Sequence, residues 1–343
     1  MNFASDNITG AAPEILAALQ AANGGTLMPY GNDDVTKAAE AKVAGIFETE
    51  ADVFFVATGT AANALALSVM TPPTGAVFCH LGAHLNDTEC GAPEFFTGGA
   101  KLLPLDGVDG KFTAEDLEAA IAASGVGNIH HCQAAAVTIT QATETGSLYS
   151  LDEIKAISKV CKAHGLKLHM DGSRFSNAVA ALGCSAADLT WKAGVDVLSF
   201  GATKNGGLTA EAVVLFDRSL SKDFGFRRKR GGHLFSKMRL LAAQMDAYVT
   251  DELWLKNARQ ANANAARMAA ALDTIDGIEQ SQSVQANILF PRMPRKVIQG
   301  LQDDGFLFYE RGGKDIIRLV MAFDTRGQDI DAFIDAARRH AGG

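Results

Sequence analysis

Three short segments carry side chains suited to chemistry, and each follows an apolar run. After Val53–Ala57 comes Thr58-Gly59-Thr60-Ala61-Ala62-Asn63, which opens an apolar helical stretch over Ala64–Met70. A small Gly-containing turn at a helix start presents unpaired N–H groups and the positive end of the helix dipole. With the Thr60 hydroxyl it forms a cradle suited to phosphate. It is neither a Walker A loop, lacking Gly-Lys-[Ser/Thr], nor a G-x-G-x-x-G turn. After Leu166–Met170 comes Asp171-Gly172-Ser173-Arg174, and after Val195–Phe200 comes Gly201-Ala202-Thr203-Lys204-Asn205-Gly206-Gly207. Each segment alone has a plain explanation: a strand–helix turn, a capping aspartate, a solvated lysine. Together they supply what pyridoxal phosphate (PLP) requires: a phosphate cradle, a carboxylate for the pyridinium nitrogen, and an amine for a Schiff base. Small residues around Lys204 let a flat ring approach the backbone.

These groups need a scaffold that brings distant strand ends together. Predicted strands lie at Val53–Ala57, Ala76–Cys79, Lys101–Leu105, Ala134–Ile139, Leu166–Met170, Val195–Phe200 and Ala212–Phe216. Most are separated by helical segments, which requires right-handed crossovers and a largely parallel sheet covered on both faces. In such α/β sheets ligands bind beyond the carboxyl ends of the strands, where all three segments fall. Pro13 and Gly24 bracket a first helix, and Asp33 or Asp34 can cap a second. Thr113…Asp116 and Ser150…Glu153 have capping-box spacing. Residues near 231–276 read as Ala-rich helix. The tail alternates strand (Ala286–Phe290), helix (Arg295–Asp303), strands (Phe306–Tyr309, Ile316–Ala322) and helix (Asp329–His340). This divides the chain into an N-terminal arm with a large cofactor-binding domain, 1–245, and a small α+β domain, 246–343.

Composition bounds the possibilities. The chain has 343 residues, 48% hydrophobic and 20% charged, which is ample for a core without disulfides or a metal. A formal charge of −8 disfavours nucleic-acid and anionic-membrane partners, which need a basic footprint. No apolar run approaches membrane-spanning length, and the N-terminus lacks a signal-peptide pattern. The 5 scattered cysteines, with no C-x-x-C, read as reduced cytoplasmic thiols.

Ser5-Asp6, Tyr30-Gly31, Gly59-Thr60, His84, Asp171-Gly172-x-Arg174, Lys204 and Arg318-Leu-Val occur in an order that resembles the threonine aldolases and their β-eliminating-lyase relatives. These are PLP enzymes of the aspartate-aminotransferase-like fold (fold type I). The resemblance spans nearly the whole chain and is most specific around HMDGSRFSNA and SFGATKNGG. It implies that Lys204 carries PLP, that Asp171 pairs with the ring nitrogen, and that His84 stacks on the ring with Glu89 nearby. Gly59, Thr60 and Ala61 would hold the phosphate. Arg174 would sit near the phenolic oxygen and the substrate carboxylate, with Ser5 and Arg318 binding that carboxylate. Tyr30 would come from a neighbouring subunit of a homo-oligomer, a dimer or tetramer. The implied reaction is retro-aldol cleavage of a β-hydroxy-α-amino acid, such as threonine, allo-threonine or phenylserine, to glycine and an aldehyde. β-Elimination or transamination on the same cofactor, and a non-catalytic α/β binding protein, are the competing readings.

Arg318 also stands out by itself, because an Arg within the apolar strand pattern Ile316–Val320 needs a partner, whether a substrate carboxylate or a structural acid. His80 and His84 have helical metal-pair spacing, but no third ligand follows. The run Arg227–Arg230 reads as a solvated loop or, by the resemblance, as a source of phosphate contacts from Arg228 or Lys229. One departure from the family pattern matters. Where threonine aldolases carry Glu-Asn-Thr-His, this chain reads Thr138-Ile139-Thr140-Gln141, which places Gln141 where a His would face the substrate hydroxyl. A Gln can hydrogen-bond that hydroxyl but cannot take its proton.

Overall fold

In the computed structural model, which describes residues 1–311 and 315–342, seven strands form one sheet. They are β1 (Asp52–Val56), β2 (Gly75–His80), β3 (Lys101–Leu105), β4 (Gln133–Thr140), β5 (Lys167–Gly172), β6 (Val197–Gly201) and β7 (Glu211–Leu215), in the order β1-β7-β6-β5-β4-β2-β3. Neighbours from β3 to β6 run parallel. β7 runs antiparallel to both β6 and β1. The turn between Gly201 and Glu211 is too short for a crossover helix, so the chain doubles back there. All seven strands lie within a few residues of their predicted positions, because strands buried on both faces read as compact apolar runs.

The helix Gly59–Met70 crosses one face, burying Ala62, Leu65, Ala66 and Leu67 against Val56, Val77, Val197 and Val213. The opposite face packs against Phe47, Phe175, Phe200, Tyr248 and Trp254. Both predicted capping boxes form, at Thr113 with Asp116 and at Ser150 with Glu153.

A second core gathers Met268, Leu272, Val297, Leu301, Ile317, Leu319 and Phe333 beneath a small antiparallel sheet. Phe3 belongs to this core, with its ring 5.4 Å from that of Phe333. The N-terminal arm is sewn to it: Phe3 N–H donates to Leu307 O at 2.8 Å, and Val320 N–H donates to Phe3 O at 2.9 Å. The strand expected at Phe306–Tyr309 accordingly begins later, at Tyr309–Arg311, because Phe306 turns into the core and Leu307 pairs with the arm. The basic run is also not a loop. It ends the helix Ser221–Arg230, where Arg228 is buried with its guanidinium 5.0 Å from the centre of the Phe54 ring.

Candidate active site

A cavity of about 360 Å³ opens at the carboxyl ends of β1, β5 and β6 and is lined by Thr58, Gly59, Thr60, His84, Ser173 and Lys204 among others. Thr58 caps the helix Gly59–Met70, its Oγ1 accepting from Ala61 N–H at 3.1 Å. The Gly59 and Thr60 amides lie in the first turn, where no intrahelical acceptor exists, and so face the cavity as anion donors. Ala61, buried behind them, donates its N–H to the Thr58 hydroxyl.

Asp171 ends the apolar part of β5 and is fully buried. Its Oδ1 accepts from Ser173 N–H at 3.0 Å and Ser173 Oγ at 2.8 Å, and its Oδ2 accepts from Asn63 Nδ2 at 2.9 Å. Burial pushes this carboxyl up, but the Lys204 charge and the Ser173 hydrogen bonds outweigh it and hold the group below its usual range. Asp171 is thus a fixed anion, the partner a pyridinium nitrogen needs. Gly172 must stay glycine for β5 to end this way, since a Cβ there would lie 2.6 Å from Ser199 O. Lys204 follows β6 in a short 3-10 turn, where burial and the Arg174 charge lower its amine from the usual lysine range. A lysine more easily neutral is a better nucleophile.

His84 and Glu89 share a hydrogen bond of 2.8 Å from Nδ1 to Oε1, and that bond raises the imidazole. Asn63 donates to both Glu89 and Asp171, each at 2.9 Å, so one amide locks the two acids in register. Glu144 accepts from the His84 backbone N–H at 2.7 Å and fixes the start of the short helix His84–Asp87. Arg174 is buried and bound to Asp6 through two parallel hydrogen bonds of 2.7 and 2.8 Å. Arg318, on the strand Ile316–Val320, makes only a 3.5 Å contact to Ala4 O and pairs with no acid among the described residues. Burial and the neighbouring Arg174 charge lower it to about 10, so it remains a cation at neutral pH.

Comparison with known proteins decides the family. Residues 2–294 match the β-eliminating lyase family. The chain is 45% identical to the low-specificity L-threonine aldolase of a Pseudomonas strain over 94% of this chain and 93% of that one. It is 44% identical to the enzyme of the same description from Pseudomonas aeruginosa over 98% and 96%. The solved structure of Leishmania major threonine aldolase superposes with a TM-score of 0.92, at 29% identity and 98% coverage of both chains. The chain belongs to the β-eliminating lyase family.

Set against that family, Gly59, Thr60, His84, Glu89 and Lys204 line one cleft, Asp171 and Arg174 are buried next to its Ser173 wall, and Arg318 on the strand of the second core is near enough to Arg174 to feel its charge. PLP, the cofactor the family implies, fits the residues present: free amides at a helix start, a fixed buried carboxylate and a buried amine. Two of the expected substrate contacts lie away from this cleft. Gln141 is fully buried, donating from Nε2 to Tyr149 O at 2.8 Å and accepting on Oε1 from Tyr149 N–H at 3.0 Å, so it has no free group for a substrate hydroxyl. Ser5 Oγ accepts from Asn7 N–H at 3.1 Å and caps a short 3-10 turn, and its residue lines a different cleft beside Val320 and Arg326. Tyr30 is 45% exposed on this protomer, with the Lys229 ammonium 4.6 Å from its ring centre. Asn63, Asp6, Glu144 and Glu211 are site residues the sequence reading did not single out. Only the direct succession of Ser5 and Asp6 hinted at one of them.

Proposed function

We propose that the protein is a PLP-dependent aldolase that cleaves β-hydroxy-α-amino acids of the threonine, allo-threonine or phenylserine type to glycine and an aldehyde. The observation that carries this reading is the convergence of the Gly59 and Thr60 amides and the Lys204 amine on one cavity, with the Asp171 anion buried behind its Ser173 wall, in a chain 45% identical to a low-specificity L-threonine aldolase. When bound, PLP supplies an electron sink for the carbanion left at Cα after Cα–Cβ cleavage.

Each residue then has a task. Lys204 would hold the cofactor through its amine, which burial and the Arg174 charge make more easily neutral. Asp171 keeps the ring nitrogen protonated. Arg318, a cation without an acid partner among the described residues, takes the substrate carboxylate, and its planar fork suits bidentate binding. His84, held at Nδ1 by Glu89, offers Nε2 to accept the β-hydroxyl proton. In this reading the 1–245 domain carries the cofactor and the 246–343 domain supplies Arg318. Exposed Leu27, Met28 and Tyr30 support a homo-oligomer, dimer or tetramer, in which Tyr30 reaches a neighbour's site. The 5 unpaired cysteines support a cytoplasmic protein.

The test is to reconstitute the purified protein with PLP and supply threonine, allo-threonine and phenylserine separately. Glycine and an aldehyde in equal amounts are expected, with a visible cofactor band that is absent in Lys204→Ala. Ammonia with a keto acid would instead establish β-elimination, and no visible band would overturn the cofactor assignment.

A further inference from the structure

Glu211 opens β7, level with Val56 on β1 and Gly201 on β6. Strand alternation places its side chain on the same face as Val213 and Leu215, the face covered by the helix Gly59–Met70. It lines the cavity together with Gly59, Thr60, Thr203 and Lys204, yet is only 6% exposed. Oε2 accepts from Ala202 N–H at 3.1 Å, and the Thr203 hydroxyl is also in hydrogen-bonding reach of the carboxyl. A Cβ on Gly201 would come within 3.1 Å of Oε2, so glycine at the end of β6 leaves this acid its place.

Among the described residues no cation lies within ion-pair distance of Glu211. The charged and titratable groups facing it are Lys204 on the turn after β6, which favours the carboxylate, and Asp171 on β5, which opposes it. Tyr248 on the helix Arg239–Val249 also senses its charge. The helix Gly59–Met70 presents no charged side chain, only its N-terminal amides. Burial raises Glu211 to about 7. Phosphate in the cradle adds negative charge, and covalent use of Lys204 removes the one ammonium that favoured ionisation. Both changes drive a proton onto Glu211.

We propose that Glu211 is a phosphate-side binding residue of the cradle that acts as the neutral acid, so that filling the cradle takes one proton from solvent onto its carboxylate. The inference rests on the PLP reading. It is tested by calorimetric titration of the apoprotein with PLP at about pH 8 in two buffers of different ionisation enthalpy, with pyridoxal, which lacks the phosphate, as control. Wild-type protein is expected to take up roughly one more proton with PLP than with pyridoxal, and Glu211→Gln to lose that excess. Above about pH 7, wild-type affinity for PLP should fall close to tenfold per pH unit more steeply than that of the variant. Equal proton uptake and parallel affinity curves would overturn the proposal while leaving PLP binding intact; failure of PLP to bind at all would sink both. An infrared difference spectrum of the wild type, PLP-bound minus apo, gives a readout without the variant: a new protonated-carboxyl band is expected, and its absence overturns the assignment.

Discussion

Asp6 and Arg174, 168 residues apart in the chain, are joined by parallel hydrogen bonds of 2.7 Å (Nε to Oδ2) and 2.8 Å (Nη2 to Oδ1). Asn287 adds a third donor to Asp6 Oδ2 at 3.0 Å. The pair ties the N-terminal arm to the end of β5, and Asn287 ties both to the second core. It also sets the charge of the cleft. Among the described residues Asp6 pairs with the Arg174 guanidinium alone, and the Arg174 charge is felt at Arg318. The surplus positive charge at Arg318 is what a substrate carboxylate would neutralise.

Breaking this pair leaves a buried guanidinium without a counter-ion. Asp6→Ala is expected to lower stability by about 3–5 kcal/mol, the usual cost of removing one partner of a buried pair. Burial raises the Asp6 carboxyl, but Arg174 outweighs it and holds the group below its usual range. The stabilisation is therefore fully present above the ordinary carboxylate range and is lost as pH falls through the lower folded value. Urea unfolding of wild type and variant across acid pH checks this. A stability difference independent of pH would contradict it.

Arg318 makes the opposite prediction for stability. Since it pairs with no acid among the described residues, Arg318→Met removes a half-buried cation and should leave stability unchanged or raised. Loss of the carboxylate contact should raise KM and lower kcat/KM about a hundredfold, equivalent to about 2.7 kcal/mol. Steady-state kinetics with thermal melting of the same sample separates the two effects. An unchanged KM would remove Arg318 from substrate binding.

The pH profile tests the His84–Glu89 bond. Hydrogen bonding to Glu89 raises the imidazole, so wild-type kcat/KM is expected to fall as pH drops through this raised value. Glu89→Gln removes the carboxylate, and both the His84 NMR titration midpoint and the acid limb of the profile should move to lower pH. A limb that stays in place while the NMR midpoint shifts would show that another group is the base.

Much of this fold was legible because its signals are local. Buried parallel strands appear as short apolar runs, and the capping boxes at Thr113 and Ser150 depend on spacing alone. Asp171 and Lys204 could be picked out because α/β sheets present such residues at strand ends. What stayed hidden depends on contacts between remote segments. Nothing near Asn63 signals that its amide bridges Glu89 and Asp171, and nothing near Glu211 tells that β7 turns antiparallel and carries it into the cleft. Ser5 and Asp6 are adjacent, but only the path of the arm reveals that Asp6 reaches Arg174 while Ser5 caps a turn.

Gln141 is bound to the main chain of its own loop. Its amide copies a strand edge, exchanging two hydrogen bonds with the Tyr149 main chain and closing the loop between β4 and the helix Leu151–Ala163. Gln141→Leu keeps comparable bulk but leaves the Tyr149 N–H and carbonyl without these partners in a buried setting. With each unsatisfied group costing about 1–3 kcal/mol, a loss of roughly 2–6 kcal/mol in unfolding free energy is expected. KM for β-hydroxy amino acids should remain within about twofold of wild type, because the amide is fully buried away from the cleft. Urea unfolding and kinetics at a temperature where the variant is folded measure both quantities. A large rise in KM with unchanged stability would return Gln141 to the substrate pocket.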